Sequence, residues 1–134
     1  MNKHLVFVYG TLRANQGNHH FLRTASIIAQ HSWTTGKLYN VGCGYPAMTL
    51  EHGSKVYGEL YKVSDEVLVQ LDMLEDYQKD NLENGLYDRT VRTVYTNDQV
   101  HDAILYFFTM EQVKFLRQIK SGDWVADQSK GHRL

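Results

Sequence analysis

The 134-residue chain contains one cysteine and one proline, and it has no hydrophobic run long enough to cross a membrane. Because Cys43 is the only cysteine, an internal disulfide is excluded, and with it the class of small secreted proteins that depend on disulfides. The apolar N-terminal run also lacks the small-residue cleavage pattern of a signal peptide. We therefore expect a cytoplasmic protein with a single domain, residues 1–134, stabilised by its hydrophobic core.

An excess of charge of one sign is also lacking. The 14 basic and 15 acidic residues leave a formal net charge of −1, which argues against nucleic acid or an anionic membrane as a partner. The seven histidines are scattered and none are paired at the spacing of a helical metal motif, so no metal is expected. A small molecule is the expected partner, and the sequence leaves the oligomeric state open.

Short apolar runs predict most of the strands. Segment 55–63 alternates in the manner of a half-exposed strand, and 27–41 is predicted as one long or bent strand interrupted near Gly36. Further strands are predicted at 4–9, 87–95 and 102–108. Residues 42–46 and the polar segment 78–85 are predicted loops, the latter mobile.

Helices are fewer. A short helix is predicted from Asn18 to about Ala25, a longer one over 65–77 with Ser64 as its N-cap, and a third from Glu111, followed by a polar tail. Because strands and helices do not alternate strictly, the pattern favours an α+β domain with a curved, mostly antiparallel sheet over a doubly wound parallel one.

The first strand ends abruptly at Gly10, and this turn is a candidate anion site. A strand that breaks at a glycine exposes consecutive backbone N–H groups, which suit an anionic ligand group. The alternative is that Gly10 merely lets the chain bend. The residues after Gly10 match neither a P-loop nor the glycine spacing of a dinucleotide-binding fingerprint.

The predicted helix 65–77 contains one acidic residue near its apolar stripe. At about 100° per residue, Glu75 lies about 50° from the centre of that stripe, while Asp72 and the other acids lie beyond about 100°. A carboxyl group in that position acquires a raised pKa, as a general base or acid near neutral pH requires, or it pairs with an arginine such as Arg89 or Arg92.

Three tyrosines adjoin turns or loops, where their hydroxyl groups could reach a ligand: Tyr9, Tyr45 and Tyr87. For each of them a purely structural role is the alternative. Cys43 lies between two glycines, but no signature of a cysteine nucleophile surrounds it, and we interpret it as incidental.

Three segments together resemble the γ-glutamylcyclotransferase-like family, in particular its γ-glutamylamine cyclotransferase and AIG2-like branch. Segment 6–13, VFVYGTLR, with Asn18 shortly after it, is similar to the family's signature loop. Segment 58–77 resembles the strand and helix that carry the catalytic glutamate, and 87–91, YDRTV, resembles the strand that follows.

The resemblance implies a small, mixed, mostly antiparallel β-barrel-like sheet with flanking short helices. It also implies release of 5-oxoproline from a γ-glutamyl amine or γ-glutamyl amino acid, with Glu75 as the catalytic residue and no cofactor or metal. The remaining site residues are implied to bind substrate: Tyr9, Gly10, Thr11, Leu12, Asn18, Tyr45 and Tyr87.

The chain departs from the family pattern in two places. Asp76 follows Glu75 where many relatives have glycine, and within 33–54 only Tyr45 and Pro46 match, so the leaving amine is not identified. Because a fold does not fix a function, a non-catalytic small-molecule binding or regulatory protein that uses the same pocket is the main alternative.

Overall fold

The computed structural model describes residues 2–78 and 86–131 of the chain. Five strands form a closed barrel in the order β1, β5, β2, β6, β7. Their bounds are β1 Asn2–Val8, β2 Ser26–Thr35, β5 Lys55–Ser64, β6 Asp88–Tyr95 and β7 Val100–Phe107. All of these neighbours are antiparallel except β1 and β7, whose parallel pairing of Val6 with Ile104 closes the barrel.

A second sheet of three short strands packs against the barrel. It contains β3 Lys37–Asn40, β4 Pro46–Thr49 and β8 Arg117–Gln118, in the order β4, β3, β8. In the described ranges, three helices and one 3₁₀ turn accompany the two sheets: α1 Asp65–Leu74, α2 Met110–Val113, α3 Trp124–Gly131 and the turn His19–Leu22. The predicted α+β class with a mixed, mostly antiparallel barrel-like sheet is confirmed.

Several predicted elements need correction. The predicted strand 27–41 is two strands in different sheets, separated at Gly36, where a Cβ atom would lie 2.5 Å from Met48 Cε. The predicted loop 42–46 ends one residue early because Pro46 begins β4, which is buried throughout. The predicted helix from Asn18 to Ala25 is only the 3₁₀ turn.

The C-terminal part also differs from the prediction. The residues described as a polar tail form β8 and α3, and Trp124 at the start of α3 is only 2% exposed. Strand β5 is not half-exposed as predicted, since Glu59 and Tyr61 are buried along with their neighbours. Of the predicted mobile loop 78–85, all but Gln78 lies outside the described residues.

Helix α1 begins as the sequence predicts. The Ser64 hydroxyl accepts a hydrogen bond from the Val67 backbone N–H at 3.2 Å, which satisfies one of the free donors of the first turn. The predicted apolar stripe packs into one of the two hydrophobic clusters, with Leu71 fully buried. The helix ends at Leu74 rather than Tyr77, which places Glu75 at its C-cap. None of the helices in the described ranges is long and apolar enough to cross a membrane.

Candidate active site

A cavity of about 320 Å³ lies where β1 ends, between the C-terminus of α1 and the loop before β4. All the residues that the sequence analysis assigns to catalysis or substrate binding contribute to its lining. These are Tyr9, Gly10, Thr11, Leu12, Asn18, Tyr45, Glu75 and Tyr87. Residues far apart in the sequence thus meet in one place. The turn at Gly10 and the helix face of Glu75 each indicated one candidate, and the family resemblance implied that both belong to one site.

Glu75 is held by backbone hydrogen bonds on both sides. Its N–H donates to the Leu71 carbonyl at 2.9 Å as α1 ends, and its carbonyl accepts from the Tyr87 N–H at 3.2 Å. Its carboxylate makes no ion pair or hydrogen bond within the described residues, and burial raises its pKa from 4.5 to about 7. A carboxyl group in this state exchanges a proton near neutral pH.

The alternative pairing of Glu75 with an arginine is not what the structure shows. Arg89 instead binds Asp72, with its Nη1 at 2.9 and 2.8 Å from the two carboxylate oxygens. Asp72 also accepts a hydrogen bond from the Tyr106 hydroxyl at 2.6 Å. Asp72, which lies off the apolar stripe, thus has partners that the helix period does not reveal, because β7 and β6 bring Tyr106 and Arg89 to that side of the helix.

The loop after β1 lines the cavity, and several of its backbone N–H groups have no partner in the described part of the chain. Within the described residues, those of Gly10, Thr11 and Leu12 donate to no protein acceptor. Asn18 closes the loop, since its side-chain amide donates to Thr11 Oγ1 and its backbone N–H to the Thr11 carbonyl, both at 2.9 Å. Successive free backbone donors of this kind are a feature of loops that bind anions such as a carboxylate.

Gly10 is required for a reason that the sequence did not suggest. A Cβ atom at this position would lie 2.7 Å from both Cγ and Cδ of Pro46, a distance that side chains do not tolerate. The glycine therefore allows the loop before β4 to pack against the end of β1. Gly10 and Pro46 both line the cavity, so their close contact determines how the two segments meet in its wall.

The hydroxyl groups of two predicted ligand-binding tyrosines are bonded to backbone. Tyr9 donates to the Tyr106 carbonyl at 2.6 Å and accepts from the Met48 N–H at 3.2 Å, and Tyr87 donates to the Pro46 carbonyl at 2.6 Å. Burial, together with the nearby charge of Glu75, raises the pKa of both phenols. Their rings, not their hydroxyls, therefore form the cavity wall.

Tyr45 differs from these two. Its hydroxyl has no hydrogen-bond partner within the described residues, and its ring tilts toward that of Tyr87 at a centroid distance of 6.4 Å. Burial, with the nearby Cys43 and Glu75, raises the pKa of its phenol. Of the three tyrosines, Tyr45 is the one whose hydroxyl is available to a ligand.

Sequence reasoning missed several lining residues. Tyr106 was assigned to a strand but not to the site, and only the register between β1 and β7 brings it there. Cys43, interpreted as incidental, lies exposed at the rim between Gly42 and Gly44, both of which have positive φ. In the parts of the chain that the structure describes, no three His, Cys, Asp or Glu side chains come together as metal ligands.

The family model described as gamma-glutamyl cyclotransferase, AIG2-like, matches residues 6–126. The chain is 32% identical over 119 residues to the gamma-L-glutamyl-butirosin B gamma-glutamyl cyclotransferase of Niallia circulans, covering 89% of this chain and 74% of that one.

The chain belongs to the AIG2-like gamma-glutamyl cyclotransferase family.

Two solved structures share the fold of this family member. YkqA from Bacillus subtilis superposes with a TM-score of 0.77 at 30% identity, over 99% of this chain and 44% of that longer one. An AIG2-like protein from Mus musculus superposes with a TM-score of 0.71 at 25% identity, over 90% of this chain and 88% of that one. The family and fold inferred from the sequence motifs are thus confirmed.

The departure of this cyclotransferase family member at position 76 has a structural explanation. Asp76 has φ 54°, in the left-handed region that glycine adopts without strain. Aspartate tolerates this conformation better than most residues. Its side chain is exposed, accepts a hydrogen bond from Gln78 Nε2 at 3.3 Å, and does not line the cavity. The second carboxylate therefore lies outside the site.

Proposed function

We propose that the protein is a γ-glutamyl cyclotransferase that releases 5-oxoproline and a free amine from a γ-glutamyl amine. One observation carries the proposal: an unpaired carboxyl group with a pKa of about 7 shares a cavity with a loop of free backbone N–H groups. A substrate with an amine to deprotonate and a carboxylate to hold matches both features.

The proposed reaction is intramolecular. Glu75 takes a proton from the substrate's α-ammonium group, and the freed amine attacks the γ-amide carbonyl carbon. A new C–N bond closes the five-membered lactam, the original amide C–N bond breaks, and the proton held by Glu75 passes to the departing amine. The attacking nitrogen loses its second proton as it becomes the lactam N–H, and the released amine takes up that proton and leaves as an ammonium ion. Because the nucleophile and the carbonyl belong to one molecule, the protein needs only to hold the folded substrate and move the proton.

The loop at Gly10, Thr11 and Leu12 is assigned the substrate's α-carboxylate. Its N–H groups have no protein acceptor within the described residues, and a bound carboxylate satisfies them. The α-carboxylate and α-ammonium are attached to the same carbon, so a substrate anchored at this loop presents its amine to a neighbouring wall. Glu75 belongs to that same lining.

The charges of the cavity support an amine as the leaving group rather than an amino acid. The described lining contains one carboxylate, Glu75, and no Lys, Arg or His side chain. A leaving group with a second carboxylate loses its hydration there without meeting a cation, which is costly. A neutral or cationic amine meets no such penalty, and Leu74 and Leu86 offer it apolar contact.

A matched pair of substrates tests this proposal. γ-L-Glutamyl-ethylamide and γ-L-glutamyl-L-alanine differ only by the carboxylate on the leaving amine. We expect 5-oxoproline from the ethylamide, with kcat/KM higher than for the alanine compound by about tenfold or more. Equal or reversed values would contradict the preference for amines, and ligand binding without product from either compound would favour the non-catalytic alternative.

Replacement of Glu75 identifies the proton carrier. Glu75→Gln removes the base but keeps the size of the side chain, so kcat falls by about a hundredfold or more. Glu66→Gln, in the exposed first turn of the same helix, is the matched control and leaves kcat unchanged. If the Glu75→Gln variant retains full turnover, the assigned role of Glu75 is wrong.

A further inference from the structure

A buried carboxylate lies outside the cavity and binds the loop that lines it. Glu59 in β5 is only 7% exposed. Its Oε1 accepts hydrogen bonds from the Ala14 backbone N–H at 2.9 Å and the Tyr61 hydroxyl at 2.8 Å, and its Oε2 accepts from Arg13 Nε at 3.1 Å. Two of these three donors belong to the residues that directly follow the cavity-lining segment 10–12.

Arg13 extends the same network to the other end of the chain. Its Nη1 donates to Asp123 Oδ1 at 3.0 Å, and this carboxylate oxygen also accepts from the Ala126 N–H at 3.1 Å in the first turn of α3. The Arg13 side chain is 13% exposed, so its charge is largely withdrawn from water between two carboxylates. One arginine thus links the loop, the barrel wall and the C-terminal helix.

We propose that Glu59 and Arg13 are positioning residues for substrate binding, which they serve by fixing the direction of the free N–H groups of Gly10, Thr11 and Leu12. Neither residue lines the cavity, so each acts through the loop. Backbone donors bind a ligand more tightly when neighbouring contacts fix the loop beforehand, because ordering a loop on binding costs free energy. Glu59 holds this chain by a backbone N–H and a side chain, immediately after the three donors.

This inference rests on the proposed function, because it takes the substrate carboxylate as the group that the loop holds. It predicts that disturbing the anchor weakens binding of the carboxylate specifically and leaves proton transfer by Glu75 intact. If Glu59 and Arg13 have only a structural role, the variants are less stable and lose affinity equally for all ligands.

Two lactams separate these outcomes. 5-Oxoproline and 2-pyrrolidinone share the ring, but only the first has a carboxylate, so the ratio of their affinities measures how well the loop holds that group. Glu59→Gln keeps an oxygen for Ala14 but removes the charge that faces Arg13. We expect the affinity ratio, measured by calorimetry, to fall by about tenfold. In turnover, KM rises while kcat and the midpoint of its pH profile stay unchanged.

A second variant keeps the test decisive if the first does not fold. Arg13→Lys retains the positive charge, but one ammonium group cannot reproduce the separate Nε and Nη1 contacts to two carboxylates. We expect the affinity ratio to fall in the same direction by a smaller factor. Arg117→Gln is the matched control, because it removes an exposed ion pair to Asp127 of α3 without touching the loop, and it leaves the ratio unchanged.

The inference is overturned if the folded variants at positions 59 and 13 keep the native affinity ratio, or if both lactams lose affinity equally. Its failure is distinguishable from failure of the proposed function. If the native protein prefers 5-oxoproline and the variants lose that preference while no substrate is turned over, the anchoring stands and the enzyme proposal fails. If the native protein binds both lactams equally, the anchoring fails whatever the turnover assay gives.

Discussion

At the scale of single residues, Glu75 is distinguished from the other acids of α1 by what surrounds it. Asp65 binds Lys3 and His4, and Asp72 binds Arg89 and Tyr106, so the oxygens of both carboxylates are hydrogen-bonded within the protein. Glu75 has no such partner within the described residues, and burial disfavours its charge. Burial thus raises its pKa, and the absence of a partner leaves its oxygens free to bind a ligand.

The raised pKa of Glu75 has a cost in stability that depends on pH. Its pKa is about 7 in the folded protein and 4.5 ordinarily, so between these values the folded state binds more protons than the unfolded state. Stability therefore falls as the pH rises from about 4.5 to about 7, by up to about 3 kcal/mol. Glu75→Gln removes this penalty, and we expect the variant to exceed the native protein in stability at pH 8 but not at pH 5.

Urea unfolding of both proteins at the two pH values measures this difference. The control is Glu66→Gln, which changes an exposed acid of the same helix and brings no comparable gain at pH 8. If the Glu75→Gln variant is less stable than the native protein at pH 8, the Glu75 carboxylate is charged in the folded state and stabilised there by favourable contacts.

The Tyr9 hydroxyl is a structural group although its ring faces the cavity. It joins the Met48 N–H to the Tyr106 carbonyl, and both of these backbone groups belong to buried strands. Tyr9→Phe leaves both unsatisfied, so we expect a loss of about 1–3 kcal/mol in the free energy of unfolding. Tyr57→Phe, at an exposed ring of β5, changes stability by less than about 0.5 kcal/mol. Equal effects of the two substitutions in chemical denaturation would show that the Tyr9 hydrogen bonds contribute nothing.

The contrast between Glu75 and Asp72 shows what the helical period can and cannot predict about a side chain. The angular position of Glu75 depends only on the helix that carries it, so the 3.6-residue period identified it. The period places Asp72 beyond about 100° from the apolar stripe, but it does not reveal that Tyr106 and Arg89 reach that side of the helix from distant strands. The hydrogen-bond partners of the Tyr9 and Tyr87 hydroxyls could not be predicted from the sequence for the same reason, because they depend on where β4 packs.

At the scale of elements, the turn after α1 determines how Glu75 enters the cavity. The helix ends at Leu74, and Asp76 reverses the chain with a positive φ so that its carbonyl accepts the Leu86 N–H at 3.0 Å. A negative charge here also faces the negative end of the helix dipole. The turn is therefore strained locally while it holds the catalytic candidate in place.

Asp76→Gly relieves this strain. Glycine adopts a positive φ without a Cβ clash, and we expect a gain of about 0.5–1 kcal/mol in the free energy of unfolding. Asp98→Gly is the control, because Asp98 is exposed and has no positive φ, so its replacement by glycine gives no gain. Thermal unfolding of both variants measures the difference, and a loss of stability at position 76 would contradict the strain.

Elements with a clear local signal were predicted and those without one were missed. Ser64 and the two acids after it give α1 a recognisable start, and the helix begins there. Strand β4 has only four residues and starts with proline, which locally indicates a loop, and only pairing with β3 makes it a strand. Helix α3 is largely polar, so its single buried aromatic residue, Trp124, did not reveal that the segment packs on the barrel.

At the scale of the whole molecule, the C-terminal segment is part of the site's support. Gly122 accepts the Tyr57 N–H at 2.9 Å, and its positive φ and a Cβ position 1.9 Å from the Lys55 carbonyl make glycine necessary there. This contact brings Trp124 into the same hydrophobic cluster as Phe7 and Tyr9 of the first segment. The sequence does not reveal this arrangement, because the first strand and the segment at Trp124 come together only in the folded protein.

Trp124 is the residue that docks α3 on the barrel, and its removal has consequences for both stability and binding. Trp124→Ala empties a fully enclosed site, so we expect a loss of about 3–5 kcal/mol in the free energy of unfolding, measured by circular dichroism in urea. Trp124→Phe costs less than about 1.5 kcal/mol, because phenylalanine fills most of the volume and removes an indole N–H that has no partner within the described residues.

The two substitutions also differ in their effect on the cavity. Asp123 directly precedes Trp124 and accepts a hydrogen bond from Arg13, so loosening α3 releases one of the two carboxylates that bind Arg13 beside the loop at 10–12. Under conditions where both variants are folded, KM therefore rises in the alanine variant and stays near the native value in the phenylalanine variant. A native KM in a folded but destabilised alanine variant would show that α3 supports the barrel alone and leaves the loop at Gly10 to Leu12 unaffected.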